Sequence, residues 1–373
     1  MVKPAPLLPE PATNLVQYRS MGAPATREEQ FRKLFGYLSG FQGTWVAAIG
    51  RKAGLFRAIQ EAASGVTAAA LAERLGYEPR YVRVWCRAAY AYELLDYDPA
   101  AGFRLAPHMA DLLLSAHDPQ YLGGRVELSV AFTEDFAAFP ARLADGAPFP
   151  RKDHAPDLVR GIMENTKPDF AIMTEIVLPQ APALLARLEQ GGAIVDVGCG
   201  AAYGLLHLSR RFPKSRGLGL EVDPPMLALA AQNLAEAGVG DRVRVEPTSA
   251  LTMELRERFD LAVMNIALHE TGERPEWEEV LRRVHRALRP GGALLISELP
   301  YPGTIEEYRE KPAYRILAGV QHHEVLVGCG MITIPELREL LEGAGFRPVH
   351  PVDQPNPTRI MYLAHKGETD RRP

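Results

Sequence analysis

The sequence predicts an α/β protein in which a C-terminal domain built on a mainly parallel sheet follows a mainly helical N-terminal domain. Two observations lead to this prediction. The second half of the chain alternates short apolar strands with helical segments, the pattern of a parallel sheet covered by helices. The first half shows helical periodicity interrupted by one hairpin pattern. Because 373 residues exceed the usual size of one domain, we expect two domains.

Composition narrows the class of protein. An apolar content of 47% permits sizeable cores, and a net charge of −4 argues against a general nucleic-acid binder, which normally carries a basic excess. The three cysteines show no pairing pattern, no apolar run reaches membrane-spanning length, and no signal-peptide pattern is present. We therefore expect a cytoplasmic protein that does not associate with membranes.

The N-terminal region begins with residues 1–28, which are rich in Pro and Ala, lack periodicity and are expected to form a flexible arm. Residues 29–110 follow with helical segments, a short helix after the N-cap Thr67, a longer helix over 79–95 and a β-hairpin. This order is typical of a winged helix-turn-helix. Residues 111–180 are mostly helical, and we expect them to link the domains and to wall a substrate pocket.

The winged-helix segment is compatible with two functions. Arg80, Arg83 and Arg87 fall on its second helix, where a DNA-recognition helix would present them. The same helix carries the large apolar side chains of a subunit contact, namely Tyr81, Val84, Trp85 and Tyr90. Acidic residues nearby also offset the arginines. We therefore favour a dimerisation domain over a DNA-binding domain, and nucleic acid is not an expected partner.

The most informative stretch is residues 193–204, which read AIVDVGCGAAYG. A short apolar strand is followed by Gly198 and Gly200 in a tight turn and then by a helical pattern. Such a unit lets backbone N–H groups and a helix N-terminus approach a ligand closely. The sequence does not match the dinucleotide-binding fingerprint G-x-G-x-x-G, because Tyr203 occupies the position of its third glycine. Asp196 also suits a cationic or hydroxyl-bearing ligand better than a pyrophosphate.

This stretch resembles motif I of the class I S-adenosylmethionine-dependent methyltransferases, with Ala202 where that family usually has a third glycine. Further landmarks follow in the family's order, including a Pro-Gly-Gly turn before the fifth strand. The resemblance covers residues 181–366 and implies a Rossmann-like, seven-stranded methyltransferase domain. Its last two strands are expected at residues 346–352 and 358–364, and residues 367–373 are expected to form a tail.

The resemblance implies S-adenosylmethionine as the cofactor. Asp196 suits the ammonium group of its amino-acid end, and Glu221, at the tip of the second strand, would accept hydrogen bonds from both ribose hydroxyls. Ser249 stands near the place where the family often has an Asp for the adenine amino group. The expected cofactor-binding residues are Asp196, Gly198, Cys199, Gly200, Glu221, Val222, Ser249, Ala250 and Asn265.

Methyl transfer to a hydroxyl requires that the acceptor lose a proton, which calls for a general base. His269 follows the fourth strand, at the edge where α/β sheets place ligands. It matches the catalytic base of the plant-type O-methyltransferases, although their motif continues His-Asp-Trp and this one continues with Glu270 and Thr271. Glu298 matches one of the two glutamates that flank that base. The second falls on Met331, which is a departure from the family.

The resemblance therefore implies S-adenosylmethionine-dependent methyl transfer to a small organic molecule, with a hydroxyl of a secondary metabolite as the expected acceptor. In similar enzymes the N-terminal winged-helix-like domain joins two subunits, so we expect a homodimer. One alternative is a metal-assisted C-methyltransferase in which His322 and His323 join His269, although we expect no metal. A second alternative is a winged-helix regulator that binds DNA in response to S-adenosylmethionine. A third is a protein with the methyltransferase fold that catalyses a different reaction.

Overall fold

The computed structural model describes residues 24–149 and 156–367. Most of the expected N-terminal arm and all but the first residue of the expected C-terminal tail lie outside the described residues. The domain limits expected from the sequence stay predictions.

The N-terminal elements follow the expected winged-helix order. They are α1 (Arg27–Lys52), α2 (Leu55–Glu61), α3 (Ala68–Leu75), α4 (Pro79–Ala91), β1 (Leu95–Asp98), β2 (Gly102–Leu105) and α5 (Met109–Leu114). Thr67 caps α3 by accepting the N–H of Ala70, as predicted. Phe56 and Trp85 pack edge to face in a small apolar core that these elements share.

Helix α4 ends four residues earlier than expected, at Ala91 rather than at Leu95. Glu93 has a φ of +57°, which takes the backbone out of the right-handed helix. The N–H of Leu94 then donates to the carbonyl of Ala89, and the chain continues into β1. The stop releases Leu95 from the helix, so that it pairs with Leu105 across the hairpin.

The connecting region consists of α6 (Gly123–Ala131), α7 (Thr133–Asp145), α8 (Pro156–Ile172) and α9 (Pro182–Gln190). Helices α6 and α8 cross closely because each carries a glycine at the crossing. A Cβ on Gly124 would lie 2.2 Å from the carbonyl carbon of Glu164, and a Cβ on Gly161 would lie 3.0 Å from the Cα of Leu128. The crossing brings α6 over the carboxyl edge of the C-terminal sheet.

The C-terminal elements alternate strands and helices. They are β3 (Ala193–Val197), α10 (Tyr203–Arg211), β4 (Arg216–Glu221), α11 (Pro224–Glu236), β5 (Val243–Pro247), β6 (Phe259–Asn265), α12 (Arg274–Ala287), β7 (Leu288–Glu298), α13 (Pro312–Val327), α14 (Ile334–Gly343) and β8 (Ile360–His365). The strand order is β5–β4–β3–β6–β7–β8, and only the β7–β8 pair is antiparallel. The order reverses between β3 and β6, and ligands of open α/β sheets bind at such a switch point. The α/β, Rossmann-like fold class is confirmed.

The sheet has six strands within the described residues, where seven were expected. Residues 346–352, expected as the strand before the last, meet β8 through backbone hydrogen bonds from Arg347 and Val352 and through one bridge at Pro351. Pro348 and Pro351 have no N–H to donate, so this segment cannot form a continuous ladder. The prediction of a strand here was wrong.

Helices cover both faces of the sheet, which buries its apolar strands. One face packs against α12 and α14 through Val280, Leu281, Leu337 and Leu341. The other packs against α9 and α10 through Leu184, Leu188 and Leu208. This two-sided packing holds the strands rigidly, and their carboxyl ends are left to carry a site.

Within the described residues, no single helix combines the length and the apolar character needed to cross a bilayer. One pair of helical segments, Asp157–Gln180 and Pro182–Gln190, meets the test only when taken together, and it is bent by 116°.

Candidate functional site

The glycine turn after β3 has a backbone that small residues adopt most easily. Gly198 and Gly200 have φ values of +74° and +51°, and a Cβ on Gly198 would lie 2.7 Å from the Cβ of Ala267. Ala202, which replaces the family's third glycine, also has a positive φ of +62°. An L-residue in this conformation costs about 1–2 kcal/mol. The turn therefore keeps its shape with alanine here, as predicted, at an energetic cost.

Asp196, near the end of β3, is a buried carboxylate with an unsatisfied oxygen. Its side chain is 2% exposed, and its Oδ2 accepts no hydrogen bond from any described residue. Burial and, second, the negative charge of Glu221 raise the pKa of Asp196 to about 7. No cation of the described chain forms an ion pair with it. A positively charged ligand would supply the missing partner.

Glu221, the last residue of β4, is held by backbone N–H groups. Its Oε2 accepts from Gly200 at 2.8 Å, and its Oε1 accepts from Val222 at 2.7 Å and from Asp223 at 3.0 Å. These bonds fix the carboxylate beside the glycine turn, where its Oε2 retains a lone pair for a hydroxyl donor. The sequence had not indicated this backbone cradle.

Cys199 lies within the turn and is buried. Its thiol donates to the carbonyl of Gly200 at 3.7 Å, and burial raises the pKa of the thiol. A Cβ on Gly219 of the adjacent strand would lie 2.6 Å from its sulfur. Cys199 therefore acts as a small packing residue that shapes the turn.

The remaining expected cofactor residues lie at the same edge of the sheet. Ser249 and Ala250 follow β5, and the Ser249 hydroxyl accepts the N–H of Leu251 at 3.2 Å. Asn265 ends β6 and donates to Asp169 at 3.3 Å, while its Oδ1 has no hydrogen-bond partner among the described residues. The ends of β3, β4, β5 and β6 thus bring the whole expected set together.

His269 opens a short turn after β6 and is almost fully buried. Its Nδ1 lies 2.7 Å from Oε2 of Glu298, the last residue of β7. The other oxygen of Glu298 accepts the N–H of Leu268 at 2.8 Å. The N–H of Gly330 donates to the His269 carbonyl at 3.1 Å. Glu298 therefore holds both the ring and its loop, as expected for a carboxylate that orients an imidazole.

A second carboxylate flanks His269, and it comes from α13. Oε2 of Glu324 lies 3.5 Å from Nε2 of His269, and both side chains are buried. Met331, at which the sequence places the family's second glutamate, lies after α13 and is partly exposed, whereas in the structure Glu324 is the second carboxylate beside His269. A signal was present in the sequence: Glu324 follows the buried Leu317 and Val320 at helical spacing.

The two carboxylates outweigh the effect of burial on His269. Burial is the largest single cause and lowers the pKa of the imidazole. The charges of Glu298 and Glu324 and their hydrogen bonds together raise the pKa by more than burial lowers it. The pKa of His269 therefore lies well above its ordinary value.

His322 and His323 do not share the surroundings of His269. Nδ1 of His323 lies 2.6 Å from Oδ2 of Asp135 on α7, and the ring of His322 packs against the edge of Phe139. Within the described residues, the group of potential metal ligands that contains His269 consists of His269, Glu324 and Cys329, whose ligand atoms all lie within 4.8 Å of one another. Among the described residues, the alternative metal site that would join His322 and His323 to His269 therefore does not form.

Sequence reasoning missed a buried ion pair beside the site. Nε of Arg359, just before β8, lies 2.8 Å from Oδ2 of Asp169 on α8. Asp169 also accepts from Asn265 and from Asn356. These residues lie far apart in the sequence and follow no motif, so no local signal could have joined them.

Comparisons with known proteins identify the two domains and the family of the chain. The model of a methyltransferase domain matches residues 194–292, and that of an Rv2258c-like winged HTH domain matches residues 43–114. The chain is 30% identical over 264 residues to 3-hydroxy-5-methyl-1-naphthoate 3-O-methyltransferase of Streptomyces sahachiroi, covering 69% of this chain and 73% of that protein. It is also 30% identical to trans-aconitate 2-methyltransferase of Variovorax paradoxus, over 42% of this chain and 51% of that protein.

Among solved structures, human N-acetylserotonin methyltransferase in complex with S-adenosylmethionine superposes with a TM-score of 0.65. The match covers 93% of this chain and 100% of that one at 18% identity. At this identity the likeness concerns the fold, and it extends over both the helical N-terminal part and the sheet domain.

Proposed function

The chain belongs to the class I S-adenosylmethionine-dependent methyltransferases, of the small-molecule O-methyltransferase type with an N-terminal winged-helix domain, and on that premise we propose that His269 is its general base. The enzyme transfers a methyl group from S-adenosylmethionine to a small organic molecule. We propose that the acceptor atom is a hydroxyl oxygen, as in the relative named for 3-O-methylation of a hydroxynaphthoate.

The observation that carries this proposal is the buried arrangement of Glu298, His269 and Glu324. Glu298 fixes the Nδ1 side of the ring at 2.7 Å, so the Nε2 side remains to accept a proton. Glu324 lies on that side at 3.5 Å and can receive a hydrogen bond from the protonated ring. The pair of carboxylates therefore stabilises the imidazolium that forms when a hydroxyl gives up its proton.

The residues at the glycine turn fit the methyl donor. Asp196 offers an unsatisfied carboxylate to the ammonium group, and Glu221 offers a fixed carboxylate to the ribose hydroxyls. Cys199, Val222, Ser249, Ala250 and Asn265 complete the proposed cofactor edge. S-adenosylmethionine, when bound, supplies a methyl group that its sulfonium makes strongly electrophilic. The protein's own tasks are to align the acceptor and to remove its proton.

The proposal is tested by the replacement of His269 with Gln, which keeps a neutral polar side chain. Product formation is followed by mass spectrometry with a panel of hydroxylated aromatic acceptors, and cofactor binding is followed by calorimetry. We expect turnover to fall about 10²–10⁴-fold, the usual contribution of a general base, with cofactor affinity retained. A variant that turns over at the wild-type rate would leave proximity alone as the mechanism.

We further propose that the protein is a cytoplasmic homodimer that does not bind nucleic acid. The exposed apolar side chains on α1 and α4 support this assembly: Phe31, Leu34, Phe35, Leu38, Tyr81 and Val84 are all more than half exposed. Such clusters mark protein interaction surfaces. On α4 the exposed Tyr81 and Val84 lie next to Arg80, Arg83 and Arg87, so the exposed surface of this helix is apolar as well as basic.

A further inference from the structure

Two guanidinium groups meet near the carboxyl edge of the sheet. Nη2 of Arg125, on α6, donates to the hydroxyl oxygen of Thr358 at 3.3 Å. Nη1 of Arg359 lies 3.5 Å from the same oxygen. Arg359 is neutralised by Asp169 at 2.8 Å, but no carboxylate among the described residues forms an ion pair with Arg125. Arg125 is therefore a guanidinium group without an ion pair among the described residues, on which the charges of Asp169 and Glu324 act only from outside ion-pair distance.

The charge of Arg125 is poorly solvated. Burial and, second, the neighbouring charge of Arg359 lower the pKa of Arg125 to about 10, so it stays cationic at neutral pH. Asp169 cannot serve it, because the carboxylate already accepts from Arg359, Asn265 and Asn356. A partly buried cation without a carboxylate partner is costly, and an anionic ligand would offset this cost.

Tyr301, shortly after β7, provides a second unsatisfied donor in the same region. It is 1% exposed, and its hydroxyl has no hydrogen-bond partner among the described residues. Its ring shares an apolar cluster with Leu128, one turn along α6 from Arg125, and with Ile266 in the loop that leads to His269. The charges of Arg125 and Glu324 both act on its phenol. Tyr301 thus lies within electrostatic range both of the Arg125 guanidinium and of Glu298 and Glu324, the carboxylates that flank His269.

We propose that Arg125 and Tyr301 bind a carboxylate of the methyl acceptor, so that the substrate is a hydroxy acid. Its hydroxyl faces His269 and its acid group is held by α6. The guanidinium fork matches a carboxylate with two parallel hydrogen bonds, and the Tyr301 hydroxyl donates a third. The apolar side chains around them favour an aromatic carbon frame. This inference rests on the proposed role of His269.

A paired set of acceptors tests the inference directly. Hydroxynaphthoic acids are compared with the naphthols that lack only the carboxylate, by calorimetry in the presence of S-adenosylhomocysteine and by steady-state kinetics. We expect the wild-type protein to bind the acids more tightly by about tenfold to a hundredfold, the range for hydrogen bonds to a charged group. Arg125→Gln should abolish this preference through KM while kcat for the naphthols is retained.

Conservative variants separate recognition from stability. Arg125→Lys keeps the charge but not the fork, and should retain part of the preference. Tyr301→Phe should lose a smaller part, since one neutral donor is removed. Arg142→Gln on α7 removes an arginine that already has a partner in Asp145, and should leave the preference unchanged.

The same titrations distinguish the two possible sources of a carboxylate, the acceptor and the methionine end of the cofactor. If Arg125→Gln weakens S-adenosylhomocysteine binding and leaves the acid preference intact, the acceptor site is wrong. Equal binding of acids and naphthols by the wild-type protein, or no detectable binding of any acid, also overturns it. Methylation of naphthols that depends on His269 but not on Arg125 would leave the proposed function standing. Binding of the acids without methylation of any hydroxyl would instead contradict the proposed function.

Discussion

Asp196 is a buried carboxylate that forms no ion pair with any described residue, and its proposed contact with the cofactor's ammonium group should make cofactor binding pH-dependent. Its pKa is raised to about 7 by burial first and by Glu221 second. In the proposed contact the ionised carboxylate binds the ammonium group, so affinity should be highest well above pH 7 and should fall as protonation removes the charge. We expect calorimetry to show affinity for S-adenosylhomocysteine falling by about tenfold from pH 8 to pH 6.

Two variants control this measurement. Asp196→Asn should bind weakly at every pH and show no such dependence, because it cannot ionise. Asp241→Asn, which removes an exposed carboxylate, should behave as the wild type does. A wild-type affinity that is constant from pH 6 to pH 8 would contradict the proposed partner of Asp196.

The residues that sequence reasoning located share one property, which is a short distance from a strand end. Asp196, Glu221 and His269 each lie within a few residues of the end of a recognisable strand, and a parallel sheet brings such ends together. Glu324 and Arg125 come from helices whose placement depends on tertiary packing. Neither could be assigned to the site by spacing, although the carboxylate on the buried face of α13 was visible as an anomaly.

At the scale of elements, the close crossing of α6 and α8 positions Arg125 and depends on glycine. A Cβ on Gly124 would meet the backbone of Glu164 at 2.2 Å, which a side-chain rotation cannot relieve. We expect Gly124→Ala to lower the free energy of unfolding by about 1–3 kcal/mol, the usual cost of overpacking, in a denaturant titration.

Gly319, in the middle of α13, is the matched control for this crossing. A Cβ there meets no atom within 4 Å. Since glycine weakens a helix interior, Gly319→Ala should raise the free energy of unfolding by about 0.5–1 kcal/mol. If both substitutions shifted stability in the same direction, the account of the crossing would be wrong.

Elements also show where sequence patterns fail. The apolar alternation of residues 346–352 indicates a strand, and the segment does run beside β8. Two prolines remove the donors that a ladder needs, so backbone chemistry overrides side-chain periodicity. The sequence also predicted too long a helix α4, because the apolar spacing of a helix continues past Glu93. At Glu93 the backbone adopts a left-handed conformation, which ends the helix whatever the side-chain pattern.

For the whole molecule, the exposed apolar face of α1 predicts a dimer. Stable homodimer interfaces bury about 2,000 Å² or more and are rich in apolar residues. Light scattering should therefore give twice the mass of the 41.1 kDa chain. Leu38→Glu should shift the protein towards monomer, whereas Leu143→Glu, which changes a leucine on α7 that is at least as exposed, should not. A wild-type monomer at micromolar concentration would contradict the prediction.

The proposed base and its two carboxylates come from three separate elements of the molecule, since His269 follows β6, Glu298 ends β7 and Glu324 lies on α13. Both carboxylates hold a proton on His269, so its pKa is raised well above the ordinary value. A base must be neutral, and activity should therefore increase as pH rises through this elevated pKa. Glu324→Gln removes one negative charge and should move the increase to lower pH.

The most direct test is the pH dependence of kcat/KM for the wild type, Glu324→Gln and the exposed control Glu310→Gln. The account predicts a rising limb well above pH 6.5 in the wild type and in the control, and a limb displaced to lower pH in Glu324→Gln. A profile without a rising limb, or a limb that Glu324→Gln leaves in place, would contradict the assignment of His269 as the base.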